Sequence, residues 1–281
     1  MATTTKVLIT GPNRGSRPYH SPSYPNSIPL STNIPPGIGN GLLRAYLLLP
    51  NHTVIAGVRS PSSPQSLALH SLPKDPQTTL VIVHIDSEDN STPAAAISRL
   101  QNDHKIESLD IVIANAGICE YFGPVSSMPA AELTRHFQVN TIAPLSLFSA
   151  VLPLFRNPGS LYADGEKQSK FILISSAVGS LTLMEHIPFS TPAYGASKVA
   201  GTYLVRKIHL ENLGLIAFPV HPGWVQTEMG NKGAEAAGKA EGEAEITLEE
   251  SVSGLMGVIG RATREEMGGR LTNYDGKVLP W

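Results

Sequence analysis

Short apolar runs that end in small or polar residues, each followed by a stretch of helical period, recur along this chain and leave little choice of architecture. KVLIT (Lys6–Thr10), HTVIAGVR (His52–Arg59), TTLVIVHID (Thr78–Asp86), LDIVIANAG (Leu109–Gly117), KFILISS (Lys170–Ser176) and LIAFPVHPG (Leu215–Gly223) are six such runs, and GGRLTNYDG (Gly268–Gly276) adds a last short one. Between them lie helical segments: one from Gly37, one around Thr92 to Gln101, a long apolar one over Met128–Phe155, and Ala193–Gly214 with Gly214 as its stop. Thr247 with Glu250 and Thr263 with Glu266 have capping-box spacing, and the first starts a helix to about Gly260. Strands alternating with helices predict a mostly parallel sheet covered on both faces, with ligands at the carboxyl ends of its strands.

Those ends carry the chemistry. The fifth run delivers Ser176, and Tyr194 and Lys198 follow four residues apart on the next helix. Positions i and i+4 share a helix face. An ammonium beside a phenol favours the phenolate, so Lys198 is expected to lower the Tyr194 pKa from about 10. A tyrosine tuned in this way exchanges a proton with a carbonyl or alcohol near neutral pH, and Ser176 holds the same oxygen from the other side. Taken alone, the spacing fits surface decoration better.

The first run opens into GPNRG (Gly11–Gly15), and GIGNGLLRAYLLL resumes only at Gly37. Between them, Ser16–Gly37 is rich in Pro and Ser and has neither helical nor strand period, so it reads as a loop or disordered insert. With Ser16–Gly37 removed the chain reads KVLITGPNRGIGNGLLRAYLLL, a strand, a glycine turn and a helix. Glycines at Gly11, Gly15 (or Gly37) and Gly39 would let phosphates approach a helix N-terminus. Without a ligand the stretch is a Gly/Pro loop.

Other positions carry two readings each. Arg59, where a dinucleotide site often has an acid for the ribose hydroxyls, suits a 2′-phosphate or is a solvated strand end. Arg14 adds to the same field. Asp86 takes an adenine amine or caps its loop. Small residues at Ala114–Gly117 let a ring or ribose lie on the backbone. Asn140, among apolar neighbours, is a structural hydrogen-bonder or part of a relay, and Pro144 bends or frees the backbone one turn on. Cys119 has no identifiable basic partner and reads as inert. Gly230–Glu245, poor in bulky residues, reads as mobile and suited to a lid.

Composition excludes several classes. The 281 residues, 41% hydrophobic, suffice for one sizeable core. A net charge of -2 with no basic block argues against nucleic-acid binding. A single cysteine excludes an intrachain disulfide or a cysteine-rich zinc site. The N-terminus is too short and polar for a signal peptide, and no apolar run reaches the roughly 18 residues that span a bilayer, so a cytoplasmic protein without a membrane partner is the expectation. The histidines form no HExxH and no i,i+4 pair on a helix, and Ser176 lacks the GxSxG of a serine hydrolase.

Together these motifs resemble the short-chain dehydrogenase/reductase family. TGPNRG plus GIG (Gly37–Ile38–Gly39) resembles its TGxxxGIG coenzyme turn, interrupted. ANAG (Ala114–Gly117) resembles its NNAG, and Asn140, Ser176, Tyr194 and Lys198 fall in the order of its catalytic tetrad. Pro222–Gly223 with Val225 and Thr227 resembles the segment closing over nicotinamide. GPNRGIGNGLL, read across the insert, and NYDGKVLPW are also similar to fungal ketoreductases of the norsolorinic acid reductase group.

The resemblance implies one doubly wound Rossmann-type α/β domain over residues 1–281, with a seven-stranded sheet. It implies NADP(H), favoured over NAD(H), held by Gly11, Arg14, Gly15, Ile38, Gly39, Arg59, Asp86, Asn115, Ala116, Gly117, Tyr194, Lys198, Pro222, Gly223, Val225 and Thr227. It implies Tyr194 as general acid in ketone reduction, Lys198 lowering its pKa and binding the nicotinamide ribose, and Ser176 orienting the carbonyl. Asn140 would hold a water that links Lys198 to solvent. A homodimer or homotetramer through the Met128–Phe155 and Ala193–Gly214 helices would follow the family.

Two departures stand out. The Ser176–Tyr194 separation is about five residues longer than the family's, which lengthens LTLMEHIPFSTP on the substrate side. The insert either loops outward harmlessly, or displaces Gly15 or Gly39 and leaves an impaired nucleotide-binding or scaffold protein. It can also be retained unspliced or mis-predicted sequence, the preferred history because deletion restores the motif. Phe122, Met184, Ile187, Phe189 and Trp224 line a pocket for a bulky apolar or aromatic ketone, or are ordinary loop-core residues.

Overall fold

Alternate residues of the first strand face two different cores. Val7 and Ile9 pack on one side and Leu8 on the other, all fully buried. The computed structural model of the protein describes residues 4–13, 36–156, 159, 168–187, 189–239 and 244–281. Arg14, Gly15 and the insert up to residue 35 lie outside the described residues, as do residues 240–243 of the expected lid and most of the loop after Arg156.

Strands β1 (Thr5–Thr10), β2 (His52–Val58), β3 (Thr79–His84), β4 (Ile111–Ala114), β5 (Ser169–Ile174), β6 (Leu215–His221) and β7 (Thr272–Asn273) form one sheet in the order β3-β2-β1-β4-β5-β6-β7. Every strand pairing is parallel. Helices α1 (Ile38–Leu47), α2 (Pro64–Leu67), α3 (Thr92–His104), α4 (Ala130–Phe137), α5 (Ala143–Val151), α6 (Pro192–Glu211), α7 (Glu228–Ala236) and α8 (Leu248–Arg261) complete the chain. Leu42, Leu43 and Leu47 of α1 join Val252, Leu255 and Ile259 of α8 on one face. Leu100 of α3, Leu147 of α5 and Val205 of α6 cover the other. Both sides of a strand are thus apolar, as a doubly covered parallel sheet requires. The chain winds outward from β1 to β3 and returns to β4 on the other side of β1, so a crevice opens between the carboxyl ends of β1 and β4.

Several boundaries differ from the sequence expectation. The apolar runs are longer than the strands because their last residues, Asn115–Gly117, Ser175–Ser176 and Pro222–Gly223, leave the sheet to line a cleft. Only Thr272–Asn273 of the last run pairs as a strand. Helix α6 ends at Glu211, where Asn212 Nδ2 donates to the Ile208 carbonyl, and Gly214 is absent from the positive-φ glycines, so it is not a left-handed stop. Thr247 caps α8 by accepting from Glu250 N, whereas Thr263 accepts from Glu266 N in a turn that does not continue. The first residues of the expected lid, Gly230–Ala236, are helical, with Thr227 accepting from Gly230 N as the cap of α7.

Ala130–Leu154 is a continuous helical stretch of 25 residues with a hydropathy of 1.4, long and apolar enough by composition to cross a membrane, against the expectation. Its apolarity has another cause in this fold: Val139, Ala143, Leu147 and Val151 are buried within the protein. Within it, Gln138–Ile142 forms one π-helical turn, where the Ala143 N–H reaches back to the Gln138 carbonyl.

Candidate active site

The π turn and the proline after it place Asn140. Pro144 has no N–H to give the Asn140 carbonyl four residues back, and an extra residue is accommodated in the turn. Asn140 is fully buried, and its Nδ2 donates to the Ile118 carbonyl (2.9 Å) and to Ser197 Oγ (3.0 Å). Its Oδ1 accepts from Ile118 N at 2.9 Å. The side chain therefore ties the loop after β4 to α6, one layer behind the cleft wall. A Cβ built on Gly117 would lie 3.2 Å from Asn140 Oδ1 and 3.4 Å from Lys198 Nζ, so all three meet at one point.

The cleft occupies about 810 Å³ along the carboxyl edge of the sheet. Its coenzyme-side wall contains Gly11, Ile38, Gly39, Arg59, Asp86, Asn115, Ala116 and Gly117; Pro222, Gly223, Val225 and Thr227 line the opposite part. Every described residue of the expected cofactor set is therefore on this cleft. Gly11 adopts φ 67°, open to glycine at no steric cost, and a Cβ on Gly39 would strike Asn115 Nδ2 at 2.3 Å. That amide donates to the Thr10 carbonyl at 2.9 Å, while Thr10 Oγ1 accepts from Asn115 N and Ala116 N. Thr10 thus welds the β1 turn to the β4 turn. The same Gly39 Cβ would lie 3.1 Å from the Gly11 carbonyl, so Gly39 is not displaced by the interruption. A narrow, side-chain-free cradle at the N-terminus of α1 fits a dinucleotide pyrophosphate.

Ser176 lies just past β5, where its Oγ accepts from Val178 N at 3.2 Å, and its hydroxyl is close enough to Tyr194 to act on the phenol. Tyr194 is half-buried on the first turn of α6 and lines the cleft. Lys198 Nζ stands 5.5 Å from the Tyr194 ring centroid and donates to the Ile174 carbonyl at 2.8 Å. The expected pKa order differs here. Burial raises the Tyr194 phenol above its usual value, Cys119 adds to the rise, and the Ser176 hydroxyl opposes it. Burial also lowers Lys198 to about 8, so desolvation outweighs the ammonium's pull on the phenol. Cys119 does have a basic neighbour, Lys198, but burial pushes its thiol up to about 12, which keeps it inert.

Phe122, Ile187, Phe189 and Trp224 line the cleft beyond Ser176, and Phe189 meets Trp224 edge to face at 4.7 Å. Met184 does not line it: it sits in a short turn with its side chain in solvent. Trp224 is held by its own Nε1–H to the Gly230 carbonyl (2.8 Å) and by Lys239 Nζ, 4.3 Å from its ring centroid. Asp86 faces the cleft and caps its loop by accepting from Glu88 N, the second of its two readings. The sequence reasoning missed Thr10, Asn13, Ser60, Ser63 and His221. A hydroxyl immediately before the first glycine and a histidine ending β6 were the available signals.

A family model described as short chain dehydrogenase matches residues 32–237, starting past β1 where the interruption breaks the linear pattern. The norsolorinic acid ketoreductase of Dothistroma septosporum is 41% identical over 254 residues, covering 90% of this chain and 91% of that one. The norsolorinic acid ketoreductase of Emericella nidulans is 40% identical over 268 residues, covering 92% and 97%. Among solved structures, the NADPH-bound carbonyl reductase from chicken fatty liver is 28% identical and superposes with a TM-score of 0.77 over 100% of both chains.

Proposed function

This chain belongs to the short-chain dehydrogenase family, and we propose that within it the protein is an NADPH-dependent ketoreductase for bulky aromatic ketones. One observation carries the reading: Ser176, Tyr194 and Lys198 meet on a cleft whose far end is walled by Phe122, Phe189 and Trp224. The two ketoreductases named above act, by their names, on norsolorinic acid, which supports an aromatic substrate.

NADPH, when bound, supplies the hydride that reaches the carbonyl carbon. The chain's residues do the rest. Tyr194, a phenol that is neutral near pH 7 and whose pKa its surroundings raise further, gives its proton to the carbonyl oxygen. Ser176 holds that oxygen from the β5 side. Lys198, partly charged near pH 8, binds ribose hydroxyls and favours the phenolate left behind. Asn140 fixes the Ile118 backbone and Ser197, and through them the spacing of the β4 loop and α6. Of the residues lining the cleft, Gly11, Ile38 and Gly39 would hold the pyrophosphate, Arg59 with Ser60 and Ser63 a 2′-phosphate, and Val225 and Thr227 the carboxamide end.

Exposed Ile142, Leu145, Tyr203 and Leu210 on the α4–α5 stretch and α6 support a homodimer through these helices, or a tetramer built from two such pairs. The functional reading is tested by following NADPH and NADH oxidation with polycyclic aryl ketones and with aliphatic ketones. NADPH-dependent formation of the secondary alcohol from the aryl set is the expected result; NADH preference or turnover of the aliphatic set alone would overturn it.

A further inference from the structure

His221 ends β6 and lines the cleft, yet its Nδ1 is sealed from solvent with no hydrogen-bond partner. Among the described residues the ring makes no other hydrogen bond. On the adjoining strand end the polar groups are occupied by others: Ser175 N donates to the Val220 carbonyl, and Ser175 Oγ pairs with Thr202 Oγ1 at 2.9 Å. Burial lowers the His221 pKa to about 4, so the ring carries one proton near neutrality. An unpaired buried N–H is rarer and costlier than an unpaired acceptor. The proton therefore sits on Nε2, and the cleft wall presents an N–H donor for which the described residues supply no acceptor.

The sheet order says which ligand lies nearest. The pyrophosphate and adenosine side of the coenzyme cradle is built at the ends of β1, β2, β3 and β4, and Ser176 follows β5. The segment assigned to the carboxamide end follows β6, so His221 lies where the nicotinamide end and the substrate meet, and the NADPH Kd is therefore read alongside turnover. His221 is on β6, across Ser176 from the cradle and one residue before the Pro222–Gly223 turn that leads to Trp224. We propose that His221 is a specificity-determining residue whose Nε2–H donates to a second oxygen of the substrate, distinct from the carbonyl oxygen held by Ser176 and Tyr194. This rests on the ketoreductase reading and narrows it to ketones bearing a further hydroxyl or carbonyl oxygen close to the reacting group. A site with a buried donor of this kind discriminates against analogues that leave it unpaired.

The test uses an acetonaphthone and its ring-hydroxylated counterpart with wild type, His221→Leu and His221→Gln, the last keeping an N–H near the Nε2 position. In His221→Leu, kcat/KM for the hydroxylated ketone falls about 10- to 100-fold, one lost hydrogen bond to a desolvated donor. The plain ketone and the NADPH Kd stay within about twofold, and His221→Gln recovers most of the loss. Equal losses on both ketones, a weakened NADPH Kd, or an unchanged ratio overturns the proposal. If wild type binds NADPH but reduces neither ketone, the ketoreductase reading fails and the inference falls with it. A reading independent of any fold change comes from the 15N shifts of His221 in the unliganded wild-type protein. These show an Nε2-protonated ring if the proposal holds, and an Nδ1-protonated ring sinks it.

Discussion

Asn40 Nδ2 donates to the Pro12 carbonyl oxygen at 3.0 Å, although 28 residues separate the two along the chain. Asn40 also accepts from Arg44 Nε at 2.7 Å, one turn further along α1. The two halves of the glycine turn therefore hold each other by contacts that do not involve the residues between them. Removing Ser16–Gly37, which lets Gly15 follow directly into Ile38, is expected to leave the NADPH Kd within about threefold. It should raise the unfolding free energy by about 1–2 kcal/mol through the shorter loop. Isothermal titration and urea unfolding of both forms check this; a Kd that tightens by orders of magnitude would show that the interruption impairs the cradle.

Tyr194→Phe keeps the ring and its place on α6 but removes the proton that reduction transfers to the carbonyl oxygen. Turnover is expected to fall by about 10²- to 10⁴-fold, while the NADPH Kd changes only a few-fold. Single-turnover kinetics with saturating NADPH separate the two. Retained turnover would move the acid to another group.

Lys198 titrates near 8 in the unliganded protein because burial disfavours its charge. Ribose oxygens favour the charged form, so binding NADPH takes up a proton above pH 8 and its affinity falls as the pH rises through that value. Lys198→Met should weaken binding at pH 7 and flatten the dependence. Calorimetry in buffers of different ionisation enthalpy gives the proton count directly.

His209 and His221 bear on acid stability. Burial lowers both to about 4, and at His209 the Arg264 guanidinium adds to the shift. Between about 6.5 and 4 the unfolded chain binds protons that the folded one refuses, so stability is full above pH 6.5 and drains as the pH falls toward 4. His209→Gln and His221→Gln should each reduce the slope of the urea midpoint over that interval. An unchanged slope in both variants would place the acid transition on the carboxylates instead.

The sequence made some of this readable and hid the rest for definite reasons. The strands were legible because burial on both faces demands unbroken apolar runs, as in VLIT and VIAGV. Tyr194 and Lys198 were legible because helical spacing alone puts them on one face. The direction of their pKa shifts was not: spacing gives proximity, whereas the sign depends on how much water the fold removes, and here burial outweighs the mutual charge. Asn140 could be noticed as a polar intruder, but its partners, the Ile118 backbone and Ser197, exist only once the π turn is formed. Met184 was misplaced because an apolar side chain in a long loop has no period to say which way it points. The two-residue β7 and the four-residue α2 are too short to leave a periodic signature.

The way the two sides of the glycine turn hold each other has a practical corollary. A central strand whose turn is secured by Thr10, Asn115 and the Pro12–Asn40 bond does not depend on an unbroken backbone at that point. The protein is thus suited to being expressed as two polypeptides, one carrying β1 and the other beginning at α1, whose reassembly could be read out by reductase activity.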